Sequence, residues 1–299
     1  MIYFQVKKTK ATKGIFYVTL NLLAKRCIIM ENSNWSSYFD ANKKLWDAKT
    51  PIHWASTFYD VEGFKKNPNS LNSIETKLLG DLHHQSILHL QCHFGQDTIS
   101  LAKLGAKAVG IDFSSEAIDH ARKLNEELGT DCTFSESNVY NIASIGLGQF
   151  DWVFTSYGSI CWLPDLDAWA KIIFDHLKPG GKFLIVDLHP LLHLLDWTTG
   201  HIAYEYDTYG QPIREENQGT YTDGGEGLKS VEYFWNHSMS SLVSALLKSG
   251  LILESLDEFN YCPYDLFGDD SIVSESGFAI KNLPKSFPYV YAIACTKPL

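Results

Sequence analysis

No stretch of the 299-residue chain reaches eighteen consecutive apolar residues, so no membrane-spanning helix is indicated. Closely paired cysteines are missing as well. Cys27, Cys92, Cys132, Cys161, Cys262 and Cys295 stand far apart, and in a chain this long they read as buried thiols of a reducing compartment, which points to the cytoplasm. Basic residues are scarce beyond the N-terminus. Lys7, Lys8, Lys10, Lys13, Lys25 and Arg26 all precede the first acid, Glu31; removing those six from 25 leaves 19 basic residues against 35 acidic ones, a net of −16 where the whole chain carries −10. Such a body repels a phosphate backbone, which argues against nucleic acid as a partner. Internal repeats and long linkers are absent too. The 45% hydrophobic fraction is that of an ordinary globular chain with a sizeable core.

The first thirty residues differ from the rest. A basic stretch precedes the apolar run from Ile15 to Ala24, as in a signal peptide. Lys25 and Arg26 interrupt that run, however, and no small-x-small cleavage site follows. The character changes at Met30-Glu31-Asn32-Ser33. The expectation is that Met30 is the biological start and that residues 1–29 are an upstream extension, with a disordered basic arm or a targeting segment as the alternatives.

One domain is expected over residues 30–299. Residues 30–84, with Trp46, His53, Trp54, Phe58 and Tyr59, read as a cap of short helices. From about Gln85 strands and helices alternate. Strands are expected at Ser86 to Gln91, Ala106 to Asp112, Cys132 to Ser135, Phe150 to Ser156 and Lys182 to Leu188. Helices are expected at Gln96 to Leu104, Ser115 to Leu128 and Leu166 to Leu177. Ser114 is placed as an N-cap and Gly129 as a helix stop. Lys178-Pro179-Gly180-Gly181 reads as a turn. This alternation predicts a doubly wound, mostly parallel α/β sheet. Residues 191–236, rich in Tyr, Gly, Thr and Glu, break the pattern and read as an inserted lid of hairpins. Residues 237–299 return to the sheet, with a helix at Ser240 to Lys248 and strands at Leu251 to Leu256 and Tyr289 to Thr296.

The most informative stretch is Ile87-Leu88-His89-Leu90-Gln91-Cys92-His93-Phe94-Gly95-Gln96-Asp97-Thr98, a strand that runs through a tight turn into a helix. Ligands of open α/β sheets sit at the carboxyl ends of the strands, and Gly95 falls where a side chain would block close backbone approach. Seventeen residues on, Asp112 closes the second strand, where a carboxylate can accept both hydroxyls of a ribose through charge-assisted bonds. These two features point to an adenosine-containing ligand.

The same residues resemble the class I S-adenosylmethionine-dependent methyltransferases. That family's first motif, acid-x-Gly-x-Gly-x-Gly, aligns with His89-Leu90-Gln91-Cys92-His93-Phe94-Gly95 and keeps only the last glycine; the Leu-Gln-Cys-His-x-Gly-x-Asp-Thr form resembles a variant from a bacterial branch. The resemblance covers about residues 45–298. It also includes Asp112 with Phe113, Asn138 with Val139 at the adenine position, Phe150 to Ser156, and Leu177 to Lys182. It implies a Rossmann-like seven-stranded sheet of order 3-2-1-4-5-7-6 with strand 7 antiparallel. It also implies S-adenosyl-L-methionine as cofactor. The implied cofactor-binding residues are His89, Gln91, Cys92, Gly95, Asp97, Asp112, Phe113, Asn138, Val139, Ser156 and Tyr157.

Transfer from a sulfonium needs alignment and exclusion of water more than a fixed catalytic signature, and a base only where the acceptor must lose a proton. His189 after the fifth strand and His237 before the next helix are the candidates for a base or substrate anchor; the competing reading is that each orders a loop. The insertion's Tyr204, Tyr206, Tyr209, Tyr221, Tyr233, Phe234 and Trp235 either cover an apolar acceptor or pack the insertion onto the sheet. The acceptor is expected to be a small molecule. No signature of oligomeric state is present. A zinc site among His83, His84, His89, Cys92 and His93 is disfavoured because alternate strand positions face opposite ways. The rival functions are a nicotinamide-dependent oxidoreductase and a non-catalytic S-adenosylmethionine-binding module.

Overall fold

The structure, a computed structural model, describes residues 35–196, 200–274 and 276–299. The expectations for residues 1–29, Met30 and Cys27 lie outside the described residues. Two compact units are distinguished, Met1–Ser37 and Tyr38–Leu299; of the first, only the start of helix α1 is described.

Helix α1 (Ser36–Ala55) is twenty residues long and carries Pro51 inside it, where a run of short helices was expected. Proline removes one backbone donor and normally ends a helix. Here Leu45, Thr50 and His53 are all buried, and the Thr50 hydroxyl donates to the carbonyl of Trp46 at 2.8 Å, so packing carries the helix past the proline. Two short helices follow, α2 (Val61–Lys66) and α3 (Ser73–Leu79).

The core then alternates: β1 (Ser86–Leu90), α4 (Gln96–Lys103), β2 (Lys107–Asp112), α5 (Ser115–Leu128), β3 (Thr133–Glu136), β4 (Phe150–Ser156), α6 (Leu166–His176) and β5 (Leu177–Leu188). The local signals act as expected in α5. Ser114 accepts from the N–H of Ala117, and Gly129 takes up the left-handed conformation at φ 57° that ends the helix. Ala117, Ile118, Ala121 and Leu124 recur at helical spacing and are all fully buried.

After β5 come the hairpin β6 (Ile213–Gln218) and β7 (Lys229–Phe234), helix α7 (Met239–Lys248) and strand β8 (Ile252–Phe259). The short hairpin β9 (Ser271–Val273) and β10 (Phe278–Ile280) and strand β11 (Val290–Thr296) complete the chain. The main sheet has seven strands in the order β3-β2-β1-β4-β5-β11-β8. The first five are parallel, and β11 runs antiparallel to both β5 and β8. With β8 and β11 as the sixth and seventh strands, this is the expected topology. The two larger buried clusters lie on opposite faces of the sheet, around Trp169 and Phe183 on one side and Phe154 and Tyr289 on the other, and a third gathers around Phe94, Ile99 and Phe134.

Two details differ from the expectation. Strand β5 begins at Leu177, which pairs with Phe150; pairing resumes at Lys182 with Trp152, so Lys178-Pro179-Gly180-Gly181 bulges out of a continuous strand. A β-carbon at Gly181 would lie 2.8 Å from the carbonyl of Lys178, so this bulge admits only glycine there. The second difference is the β9–β10 hairpin, for which no element was expected. Its strands are three residues each, too short for a periodic signal.

Candidate active site

The turn after β1 is built from left-handed residues at alternate positions: Gln91 at φ 56°, His93 at φ 49° and Gly95 at φ 82°. These are the three positions that align with the glycines of the family motif. Residues other than glycine, asparagine and aspartate bear a cost of about 1–2 kcal/mol in this conformation. Hydrogen bonds hold them there. Gln91 Nε2 donates to the carbonyl of Ser159 at 2.8 Å, the N–H of Cys92 to the carbonyl of Ile111 at 2.9 Å, and the N–H of His93 to Oδ2 of Asp112 at 2.9 Å.

Gly95 is required for a different reason from the one expected. It does not border the ligand crevice. A β-carbon there would meet the ring of Phe134 at 2.6 Å and the methyl of Ala121 at 3.1 Å. Its role is to seat the turn against β3 and α5.

Asp112 ends β2 with its carboxylate almost wholly buried. Oδ1 accepts the N–H of Ser114 and Oδ2 that of His93, both at 2.9 Å. Burial pushes its pKa up to about 6, against the pull of those backbone N–H groups and of Lys43. Lys43 in turn donates to the carbonyl of the adjacent Phe113 at 3.0 Å and pairs with Glu136.

A cleft open to solvent on one side lies at the carboxyl ends of β1, β2 and β4, where open α/β sheets bind their ligands. Of the expected cofactor residues, Gln91, Asp112, Phe113, Asn138, Val139 and Tyr157 line it. Gln91 Oε1 is buried there without a protein partner. Asn138 is half committed: its Oδ1 accepts the N–H of Tyr140 at 3.0 Å and caps a 3₁₀ turn over Val139–Ile145, leaving Nδ2 as the end free to donate.

His89, Cys92, Asp97 and Ser156 do not reach the cavity. They form a buried polar network behind it. His89 bonds Thr98 Oγ1 at 2.9 Å and Ser156 Oγ at 3.2 Å. Ser156 donates to Asp97 at 2.9 Å, and Ser70 donates to the other Asp97 oxygen at 2.6 Å. Burial lowers His89 to about 4, partly offset by Asp97. This network joins β1, β4 and α4 beneath the crevice, which places His89 behind the cavity wall. Cys92 is a buried thiol whose pKa burial raises well above its usual value.

His189 and His237 also lie outside the cavity wall. His189 Nε2 is 2.8 Å from Glu258 Oε1, and Nδ1 accepts the N–H of Leu191 at 3.2 Å. His237 Nε2 bonds the carbonyl of Leu163 at 2.7 Å, and burial lowers it to about 4. Both order loops. Of the insertion's aromatics only Tyr221 lines the cavity. Trp235 is fully buried, and Tyr233 packs on Tyr38 with ring centroids 4.5 Å apart.

The sequence reading missed Trp46, His93, Trp162 and Ser159, which the fold brings to the same wall. The aromatic richness of the cap was visible; its direction was not. Another residue shapes the floor from below. Asp187, fully buried, accepts the N–H groups of Gly158, Ser159 and Ile160 and so fixes the loop after β4. Among the described residues no cluster of three or more His, Cys, Asp or Glu side chains could hold a metal.

Residues 87–181 match the family model described as a methyltransferase domain. Over that stretch the chain is similar to methyltransferase domains. The chain is 30% identical over 140 residues to a ubiquinone biosynthesis O-methyltransferase of Xanthomonas euvesicatoria, covering 45% of this chain and 57% of that one. It is 36% identical over 114 residues to an uncharacterized methyltransferase of Synechocystis, covering 38% and 51%. The chain therefore spans about half the length of the curated relatives it matches. Solved S-adenosylmethionine-dependent methyltransferases share the fold. One from Mesorhizobium loti aligns at TM-score 0.51 with 18% identity over 79% of this chain and 100% of that one. Another, from Clostridium acetobutylicum, aligns at TM-score 0.52 with 14% identity over 86% and 99%.

Proposed function

We propose that the protein transfers the methyl group of S-adenosyl-L-methionine to a small-molecule acceptor and leaves S-adenosylhomocysteine. The observation that carries this reading is that Asp112 and Gln91 both line the cavity, the one with its carboxylate and the other with a buried Oε1 that has no protein partner. A buried acceptor without a donor costs about 1–3 kcal/mol, so the crevice favours a ligand rich in donors. A ribose and an amino-acid ammonium supply them. Asp112 holds the ribose hydroxyls; Gln91 Oε1 takes the ammonium; Asn138 Nδ2 donates to the adenine, with Val139, Ile111 and Leu163 as the apolar walls of its slot.

When bound, this cofactor provides an electrophilic methyl group on a good leaving group. The protein's own contribution is to hold the two partners in line and to exclude water. Trp46, Tyr59, Trp162 and Tyr221 close the other side of the cavity with aromatic surface, which suits an acceptor of low polarity. The name of the Xanthomonas relative, an O-methyltransferase of ubiquinone biosynthesis, supports an acceptor of small size.

Calorimetric titration tests the reading. S-adenosylhomocysteine is expected to bind and reduced nicotinamide dinucleotides are not. A metabolite extract incubated with labelled donor is then expected to yield a product one methyl heavier. Binding of the nicotinamide instead sinks the proposal.

A further inference from the structure

The far wall of the cavity contains a chain of side chains that cofactor binding does not use. His93 Nε2, in the turn after β1, lies 3.1 Å from His53 Nδ1 on α1. His53 Nε2 lies 2.8 Å from Thr220 Oγ1 in the β6–β7 loop. Nδ1 of His93 has no hydrogen-bond partner among the described residues, and His93 borders the cavity. Aromatic rings surround it: Trp46 at 5.3 Å and Tyr59 at 5.5 Å between centroids, each nearly perpendicular to the imidazole. The hydroxyls of Tyr59 and Tyr221 meet at 2.5 Å and join the cap to the insertion beside it.

Charge narrows what such a wall accepts. No Lys or Arg lines the cavity, and Asp112 is its one acidic residue among the described residues. Burial, then Lys49, lowers His53 to about 3. Burial, with His53, His120 and Lys49 adding to it, holds His93 well below its usual value. Both imidazoles are therefore neutral at physiological pH. An anionic acceptor entering here meets no Lys or Arg in the wall itself, and Lys49, over the Trp46 ring, is already paired with Glu232 at 3.4 Å, so the anion loses its hydration without a free countercharge. A flat uncharged ring meets aromatic edges and faces.

We propose that Trp46, Tyr59, His93 and Tyr221 form the acceptor subsite, that it takes an uncharged aromatic ring bearing a hydroxyl, and that Nδ1 of His93 accepts the hydrogen bond from that hydroxyl. The inference rests on the methyltransferase reading of the same cavity. His53 and Thr220 are positioning residues. The subsite requires the tautomers in which His93 Nε2–H donates to His53 Nδ1 and His53 Nε2–H donates to Thr220 Oγ1, the pair that leaves His93 Nδ1 bare. An imidazole of such low basicity is a poor sink for a phenolic proton. Its contribution is to orient the hydroxyl oxygen.

The probe is catechol, compared with its dimethyl ether veratrole and with benzoate, titrated into full-length ¹⁵N-histidine-labelled protein saturated with S-adenosylhomocysteine. Catechol is expected to bind at least about tenfold tighter than either comparator, as one buried hydrogen bond allows. The Nδ1 resonance of His93 should move upfield with catechol and stay in place with veratrole. His93→Asn, which tolerates the left-handed backbone, should lose about tenfold in catechol affinity. Thr220→Val should lose about threefold while keeping its affinity for S-adenosylhomocysteine and for veratrole. Failure of catechol to bind, equal binding of veratrole or benzoate, or an unmoved His93 resonance overturns the subsite and leaves the methyltransferase reading standing. Failure of S-adenosylhomocysteine to bind overturns both.

Discussion

The backbone N–H of His93 donates to Oδ2 of Asp112 at 2.9 Å, so the turn after β1 and the acid at the end of β2 form one hydrogen-bonded unit. The N–H of Ser114 occupies the other carboxylate oxygen. A carboxylate offers about four lone-pair directions, and two are thereby committed to the protein. Asp112 also lines the crevice, so the acceptor capacity left over is what the proposed ribose hydroxyls would use.

Asp112 makes cofactor affinity depend on pH with a definite sign. Its folded pKa is raised from 3.8 to about 6. The ionised form accepts ligand hydroxyls, so below about pH 6 binding must release a proton and affinity falls, by up to about tenfold per pH unit. Above that value the affinity should be level. Asp112→Asn should flatten the profile and weaken S-adenosylhomocysteine by roughly 10- to 100-fold at pH 7.5. Calorimetry between pH 5 and 8 measures both. A level wild-type profile across pH 6 removes Asp112 from the binding site.

Gly95→Ala should be one of the most damaging single-methyl changes in the chain. Its backbone lies at φ 82°, and the added carbon would meet the Phe134 ring at 2.6 Å and Ala121 at 3.1 Å. Strain and overpacking add, so a loss of about 2–4 kcal/mol is expected in urea unfolding. Phe134→Leu in the same background should restore part of it by making room. No recovery in the double variant would mean that the backbone conformation alone sets the cost.

The architecture was legible because its signals are local. Ser114 and Gly129 mark both ends of α5 within a residue, and the apolar runs of β1, β4 and β5 identify buried parallel strands. The site was legible only in part, since its last step depends on side-chain direction. Ser156 and Tyr157 are neighbours, yet Ser156 turns back to Asp97 while Tyr157 lines the crevice. Strand alternation produces that split, and nothing in the residue types announces which one faces the ligand. The left-handed backbone at Gln91 and His93 ends the alternation altogether. Trp46, Tyr59, Trp162 and Tyr221 converge from segments far apart in sequence, which only tertiary packing reveals.

His189 and His237 should behave as loop anchors. His189→Ala removes a bond to Glu258, and His237→Ala leaves the carbonyl of Leu163 unpaired. Each should cost about 1–2 kcal/mol, lowering Tm by about 2–6 °C in a domain of this size. S-adenosylhomocysteine affinity should stay within about threefold of wild type. The opposite pattern, unchanged Tm with lost turnover on an identified acceptor, would return either histidine to the chemistry.

Asp187 links the deep core to the cavity floor, and its removal should be felt at the site it does not touch. The carboxylate is fully buried and collects the N–H groups of Gly158, Ser159, Ile160 and Leu188, the last at 2.7 Å, with the Ser159 hydroxyl at 3.3 Å. Asp187→Asn places an amide N–H₂ against those donors, and each unpaired buried group costs about 1–3 kcal/mol. A destabilisation of roughly 3 kcal/mol or more is expected, together with about tenfold weaker S-adenosylhomocysteine binding, since Gly158 and Ser159 line the crevice. Ser159→Ala removes only the longest of these bonds and should cost under about 1 kcal/mol. Hydrogen exchange separates the two effects: the amides of residues 158–160 should lose protection in Asp187→Asn well before global unfolding and keep it in Ser159→Ala. Equal protection in both variants would show that the loop holds its shape without the carboxylate.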